Sequence, residues 1–290
     1  MSQSRPEPGS DWPKWITGAE DMMVRWMVGD HEVDELGFDP EFNASVFMPL
    51  FRPLYRSWFR VQMRGIEHLP DTGPALVVAN HSGVLPFDAL MLQAGVFDEH
   101  PRHRILRTLS ADLVYEVPFL SDLARRSGHI RADPELAERV LAAGHLVGVF
   151  PEGFKGIGKP FSERYRLQRF GRGGFAVTAR RAGVPIIPCA IVGAEEIYPM
   201  IGNSRRLARL LRLPYFPLTP LFPWLGPLGA VPLPSNWIIE FCPPVPTGLV
   251  DGSANGSGPD QAVSCLADRV RDIIQDKLDE ILAERGPAFS

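Results

Sequence analysis

Four stretches of the chain are apolar almost without interruption, and polar or turn-forming residues bound each one: Ala75–Ala79, His145–Phe150, Val184–Val192 and Trp237–Phe241. Runs of this length, rich in Val and Ile, predict strands buried on both faces. Ile105–Leu109 and Gly128–Arg131 are weaker strand candidates. Between them the apolar residues recur at helical spacing over Ala89–Gly95, Ala111–Arg126, Pro134–Ala143, Gly173–Ala182 and Gln261–Glu284. Asp133 is placed to cap the third of these and Gly144 to end it. Strand and helix thus alternate from residue 75 onward, which predicts an α/β fold whose sheet is largely parallel and flanked by helices.

The first quarter of the chain reads differently. Residues 1–10 predict a disordered tail. Trp12 to Met27 follow helical spacing behind Asp11 and Pro13, and the acidic stretch Gly29–Asp39 predicts a loop. A second helical pattern runs from Phe42 to Phe59, with kinks expected at Pro49 and Pro53. Its polar face carries Arg52, Arg56, Arg60 and Arg64. Aromatic residues opposite an arginine stripe suit a membrane interface; they equally suit an amphipathic helix packed on the domain. The expected division is a tail and amphipathic helices over 1–64, a candidate membrane-surface element, and an α/β domain over 65–290. Asp251–Asp260, rich in Gly, Ser and Asn, predicts a surface loop before the last helix.

Composition narrows the function. The chain is 45% hydrophobic and 22% charged, which excludes wholesale disorder. Its formal net charge of −4 gives no reason to expect nucleic acid as a partner. Three cysteines, Cys189, Cys242 and Cys265, exclude a disulfide scaffold and fit a reducing compartment. The N-terminus lacks the basic and apolar regions of a signal peptide. The longest uncharged run, Leu213–Ile239, is long enough to cross a bilayer, but seven prolines forbid a spanning helix. Charge is uneven: residues 155–183 hold eight bases and one acid, and residues 202–214 hold four arginines and no acid. Such segments can face anionic lipid or an anionic substrate, or can pack on the sheet or at a homodimer interface.

Two segments carry candidate chemistry. Asn80-His81-Ser82-Gly83-Val84-Leu85-Pro86-Phe87-Asp88 follows the first buried strand, at the strand end where α/β sheets place ligand groups. A histidine and an aspartate there form a base and its orienting carboxylate, or merely a loop histidine and a helix cap. The second, Phe150-Pro151-Glu152-Gly153-Phe154-Lys155-Gly156-Ile157-Gly158-Lys159, also follows a buried strand. Three glycines let backbone amides approach an anion, and two lysines add charge. Gly153–Lys159 matches most of a nucleotide-binding P-loop, but Pro160 stands where the metal-binding hydroxyl belongs. Gly171–Ala176 fits a dinucleotide fingerprint without a preceding strand. No Gly-x-Ser-x-Gly or His-Glu-x-x-His occurs and the seven histidines do not cluster, so no metal is expected.

Taken together with Gly128-His-Ile-Arg131 and Val184-Pro-Ile-Ile-Pro188, these segments resemble the four ordered blocks of the glycerolipid (lysophosphatidic acid-type) acyltransferases, over about Gly65 to Gly248. There are two departures. The family usually spaces its histidine and aspartate by four residues; here six intervene and Pro86 takes the usual aspartate position. The third block commonly continues Thr-Arg, where this chain has Phe154-Lys155.

The resemblance implies an O-acyltransferase that moves a fatty acyl group from acyl-CoA or acyl carrier protein to a lysophospholipid or glycerol-phosphate-type acceptor. His81 would be the general base and Asp88 its partner. Arg131 and Lys155 would hold the acceptor's phosphate, and Glu152 would hydrogen-bond an acceptor hydroxyl, with Gly153 allowing close approach. A thioester is already activated, so no cofactor is expected. The enzyme would sit peripherally at the cytoplasmic face of the membrane, against an anionic surface. The alternatives are a P-loop-like nucleotide-binding protein and a non-catalytic lipid-binding member of the same fold.

Overall fold

The computed structural model describes residues 32–82, 85–171, 173–210, 216–248 and 259–285. The helical pattern expected at 12–27, the tail 1–10 and most of the loop at 251–260 lie outside these. A seven-stranded sheet forms the middle layer. Its strands are β1 (Gln62–Arg64), β2 (Ala75–Ala79), β3 (Leu106–Ser110), β4 (Ile130–Arg131), β5 (Leu146–Val149), β6 (Ile186–Val192) and β9 (Ile238–Phe241). They are ordered β1-β9-β6-β2-β5-β3-β4. Every neighbouring pair is parallel except β6 and β9. The C-terminal ends of β2, β3, β4, β5 and β6 therefore open on one face of the molecule.

β2 and β6 are buried at every residue, as strands covered on both faces must be. Alternate side chains feed two cores. Leu76, Val78, Val147, Ile186 and Val192 meet one layer, built from α5 (Pro134–Ala142), α7 (Gly174–Ala182) and α9 (Pro259–Glu284). Along α9, Val270, Ile274, Leu278 and Ile281 recur every three or four residues and are almost fully buried. Val77, Ala79, Ile187, Ile191 and Trp237 meet the other layer, where α2 (Phe87–Glu99) packs with the segment preceding β1.

That segment, α1, runs without a break through Pro40–Phe42, Asn43–Phe47, Met48–Pro53 and Leu54–Trp58. Two π-helical stretches, Asn43–Phe47 and Leu54–Trp58, flank the proline-bearing turns and absorb the lost amide donors by i→i+5 bonding. Phe47, Met48, Tyr55 and Phe59 are buried in the core. β1 is a strand of the sheet and α1 packs over α2, so residues 40–64 are in contact with the α/β domain.

The helix expected over Ala111–Arg126 is two helices, α3 (Asp112–Glu116) and α4 (Pro118–Arg126). Val117 between them is extended, as the residue before a proline prefers. α5 starts behind Asp133, whose carboxylate accepts the amides of Glu135 and Leu136. Between β6 and β9 the chain makes a long excursion. It carries a two-stranded ribbon, β7 (Gly202–Asn203) with β8 (Pro217–Leu218), and the short helix α8 (Arg205–Leu210).

Candidate active site

Asn80, the residue after β2, extends the strand with its side chain. Its Nδ2 donates to the Ile191 carbonyl at 2.9 Å and its Oδ1 accepts the Ile191 amide at 2.7 Å. The chain therefore leaves the sheet at a fixed point, and His81 comes next. Asp88 sits in the first turn of α2, fully buried. Its Oδ1 accepts the Ala89 amide at 2.8 Å, and its Oδ2 accepts the Ser82 amide at 2.8 Å and His81 Nδ1 at 2.6 Å. Asp88 is thus a helix-start residue and a histidine partner at once, and the six intervening residues do not keep the two apart. A carboxylate oxygen accepting from Nδ1 fixes the ring proton on that nitrogen.

The His81 ring lies against Phe150, centroids 4.9 Å apart, and its side chain is 19% exposed. Nε2 has no partner among the described residues. Burial works to lower the imidazole's pKa, but the charge and hydrogen bond of Asp88, helped by Glu152, outweigh it and raise the pKa above its ordinary value. A histidine so held has one nitrogen anchored and the other a stronger base than in water.

Glu152 stands at the end of β5 and is buried. Oε1 accepts the His81 amide at 3.0 Å and Oε2 accepts the Gln168 amide at 2.7 Å. In this geometry the carboxylate ties the His81 loop to the chain beyond α6 (Phe154–Ile157). Lys159 lies 3.9 Å from Glu152 and 2.9 Å from Glu195, and donates to the Arg166 carbonyl at 3.2 Å; its side chain is 4% exposed. Glu195 follows β6 as Glu152 follows β5, and it also accepts the Tyr165 amide. Burial pushes its pKa up to about 7 against the pull of Lys159. The nucleotide-loop alternative fails here: the lysine that would reach phosphate is spent inside the protein between two carboxylates.

Gly153 has φ +54° and ψ −144°, a backbone conformation open only to glycine, although a side chain there would meet nothing. The close approach belongs instead to Gly156, where a Cβ would stand 2.7 Å from Glu152 Cβ and 3.0 Å from the His81 carbonyl oxygen.

Lys155 is exposed on α6. Arg131 ends the edge strand β4, three strands from β2, or roughly 14 Å at ordinary strand spacing. It is 54% exposed, 3.3 Å from Asp112, and its guanidinium lies over the Tyr115 ring. Arg131, Arg125, Tyr115 and the segment Asp34–Gly37 line a cavity of about 530 Å³. The structure brings together His81, Asp88 and Glu152; Gly153 and Lys155 adjoin them, and Arg131 stands apart across the same face. Asn80, Lys159 and Glu195 were not singled out for these positions by the sequence. A signal that could have found Glu195 is its place three residues after an apolar strand, the place Glu152 holds after β5.

Among the described residues no cluster of His, Cys, Asp or Glu is arranged to hold a metal, and no helix is long and apolar enough to cross a membrane.

A family model described as Acyltransferase matches residues 60–192. The chain is 50% identical over 280 residues to Uncharacterized protein Rv0502 of Mycobacterium tuberculosis, covering 97% of this chain and 78% of that one. It is 28% identical over 165 residues to the human DGAT1/2-independent enzyme synthesizing storage lipids, covering 57% of this chain and 50% of that one. Among solved structures it resembles the 1-acyl-sn-glycerophosphate (LPA) acyltransferase PlsC from Thermotoga maritima. The TM-score is 0.54 at 17% identity, covering 83% of this chain and 80% of that one.

Proposed function

Since the chain belongs to the glycerolipid acyltransferase family, we propose that it transfers a fatty acyl group from an acyl thioester to a hydroxyl of a lysophospholipid or glycerol-phosphate-type acceptor in phospholipid synthesis. The donor is acyl-CoA or acyl carrier protein. The observation that carries this reading is the 2.6 Å contact between His81 Nδ1 and Asp88, which leaves Nε2 as the available base. Nε2 takes the proton of the acceptor hydroxyl as its oxygen attacks the thioester carbonyl. The carbon–sulfur bond then breaks, and the departing thiolate takes the proton back from the imidazolium. Asp88 offsets the charge on the ring between these events. General-base help of this kind is worth about 10²–10⁴-fold.

A thioester needs no further activation, so the reaction as proposed uses no cofactor. Arg131 and Lys155 hold the acceptor's anionic head, and the cavity beside Arg131 supports that assignment. Glu152 acts by holding the backbone of His81 in place. The geometry of the dyad favours a catalyst over the non-catalytic lipid-binding alternative.

The test is product analysis by mass spectrometry with purified protein, palmitoyl-CoA, and a panel of lysophospholipids and glycerol phosphate. Monoacylglycerol and diacylglycerol belong in the panel, because the human relative's name speaks of storage lipids. An acylated product that disappears with His81→Ala supports the proposal. No product from any acceptor sinks it.

A further inference from the structure

The excursion between β6 and β9 has an unusual surface. From Ile197 to Ile239 there is no acidic residue, and there are four arginines. Ile201, Leu210, Trp224, Leu225, Leu228 and Val231 are each at least half exposed, at 67%, 76%, 72%, 52%, 68% and 50%. Arg206 and Arg209, on α8, are exposed among them. Water is a poor neighbour for so many large apolar side chains in one segment. The segment is nonetheless well anchored. Tyr198 donates its hydroxyl proton to the Ala230 carbonyl, the Leu233 amide donates to the Ile197 carbonyl at 3.0 Å, and Trp58 Nε1 donates to the Pro232 carbonyl at 3.0 Å. It also meets the site, because the Phe161 amide donates to the Met200 carbonyl at 2.9 Å, just beyond Lys159.

The topology sets where this surface looks. The excursion leaves the C-terminal end of β6, the neighbour of β2, so it shares a face with His81. Two other regions compete for the same role and fail on charge. α3 and α4 expose Val117, Phe119 and Leu120, but Asp112, Glu116 and Asp122 are exposed beside them. In and after α1, Arg52 and Arg56 pair with Asp98, Arg60 donates to Asn236, and Arg64 pairs with Glu240 and Glu284. The arginine stripe at 52–64, expected from sequence as a membrane element, is a set of intramolecular ties.

We propose that the 197–239 excursion is the surface by which this chain seats on an anionic lipid bilayer, with the His81 face turned toward the lipid that supplies its acceptor; the second half of the statement rests on the acyl-transfer reading. Exposed tryptophan and leucine enter the interfacial layer, and the exposed Arg206, in a segment whose sequence carries no acid, meets lipid phosphate. Apolar insertion survives salt that screens the arginines.

The test uses the full chain and sedimentation with vesicles of phosphatidylcholine, alone or mixed with phosphatidylglycerol. The wild-type protein should bind the mixed vesicles more tightly, and high salt should release part of it. Trp224→Ser with Leu225→Ser and Leu228→Ser should weaken binding about tenfold or more and leave little bound at high salt. Arg206→Gln should weaken the preference for phosphatidylglycerol. Arg52→Gln with Arg56→Gln should change neither. The triple serine variant should still acylate a short-chain, monomeric lysophosphatidic acid at the wild-type rate while losing activity on acceptor embedded in vesicles. Unchanged vesicle binding by the triple variant overturns the proposal. So does a wild-type dimer, seen by analytical ultracentrifugation, that the triple variant dissociates, since a second copy would then cover the patch. Vesicle binding without acyl transfer to any acceptor would overturn the enzymatic reading and leave the seating intact.

Discussion

Two charged assemblies stand side by side at the ends of β2, β5 and β6, and they differ in what surrounds them. In the first, His81 and Asp88 meet at 2.6 Å, with the imidazole 19% exposed and Nε2 unpartnered among the described residues. In the second, Lys159 lies between Glu152 and Glu195, and all three side chains are nearly or wholly buried. The groups are comparable in charge and spacing. Only the first has an atom left over for a substrate. The second spends its capacity on the protein itself, holding the His81 amide, the Gln168 amide and the Tyr165 amide in register. Accessibility, more than residue type, separates the proposed catalytic group from a structural one here.

The sharpest way to break this distinction is His81→Ala. It should lower turnover by about 10²–10⁴-fold, with little change in melting temperature, since the ring is partly exposed and contacts chiefly Asp88 and Phe150. Near wild-type turnover would put the dyad outside the reaction. Lys159→Met should do the reverse. It leaves two carboxylates buried without their counter-charge, which costs about 3–5 kcal/mol of stability, read by chemical denaturation. A variant as stable as wild type would show the cluster to be ornamental.

Asp88→Asn comes next and sharpens the first half of the comparison. The proposed mechanism requires neutral His81, so the rate should fall as pH drops through a pKa that Asp88 holds above the ordinary histidine value. The variant should lose turnover by a smaller factor than His81→Ala, and the acid limb of its pH–rate profile should move to lower pH. An unmoved limb would mean that another group titrates.

The smallest effect concerns Glu195. Its folded pKa, about 7, lies above the unfolded value near 4.5. The folded chain therefore holds a proton that the unfolded chain releases. The stability this contributes is present in full below pH 4.5 and is lost as pH rises through 7. Glu195→Gln should flatten the pH dependence of unfolding free energy across that window. Equal slopes for variant and wild type would show that Glu195 ionises normally.

How much of this was legible in the sequence depended on the range of the interaction. β2 and β6 were readable because burial on both faces demands an unbroken apolar run. α5 was readable because its cap and its stop lie within the same dozen residues. The contact between His81 and Asp88 was readable because residue type, order and position after a strand agree. The break at Val117 was written in Pro118, whose ring disfavours helix in the residue before it, but the apolar spacing across it masked the signal. The arginine stripe misled because its partners are remote: Asp98 lies 46 residues from Arg52, and Glu284 lies 220 from Arg64. No local pattern distinguishes an arginine waiting for a lipid phosphate from one already matched by the protein. The π-helical stretches of α1 were illegible for a related reason, since they reflect how proline-bearing turns are fitted onto α2.

The pinning of the His81 loop at both ends bears on how the active site tolerates change. Asn80 fixes the chain where it leaves the sheet, and Asp88 fixes it where α2 begins, so the residues between act as a tether closing a loop. The entropic cost of closure grows only as the logarithm of loop length. Six residues in place of four add about 0.4 kcal/mol, less than the ~1 kcal/mol of a single ordinary hydrogen bond, and Asp88 accepts three. Lengthening the tether is thus nearly free thermodynamically, whereas moving either anchor is not. Between these two anchors insertions can accumulate, in nature or by design, without displacing Nε2 of His81.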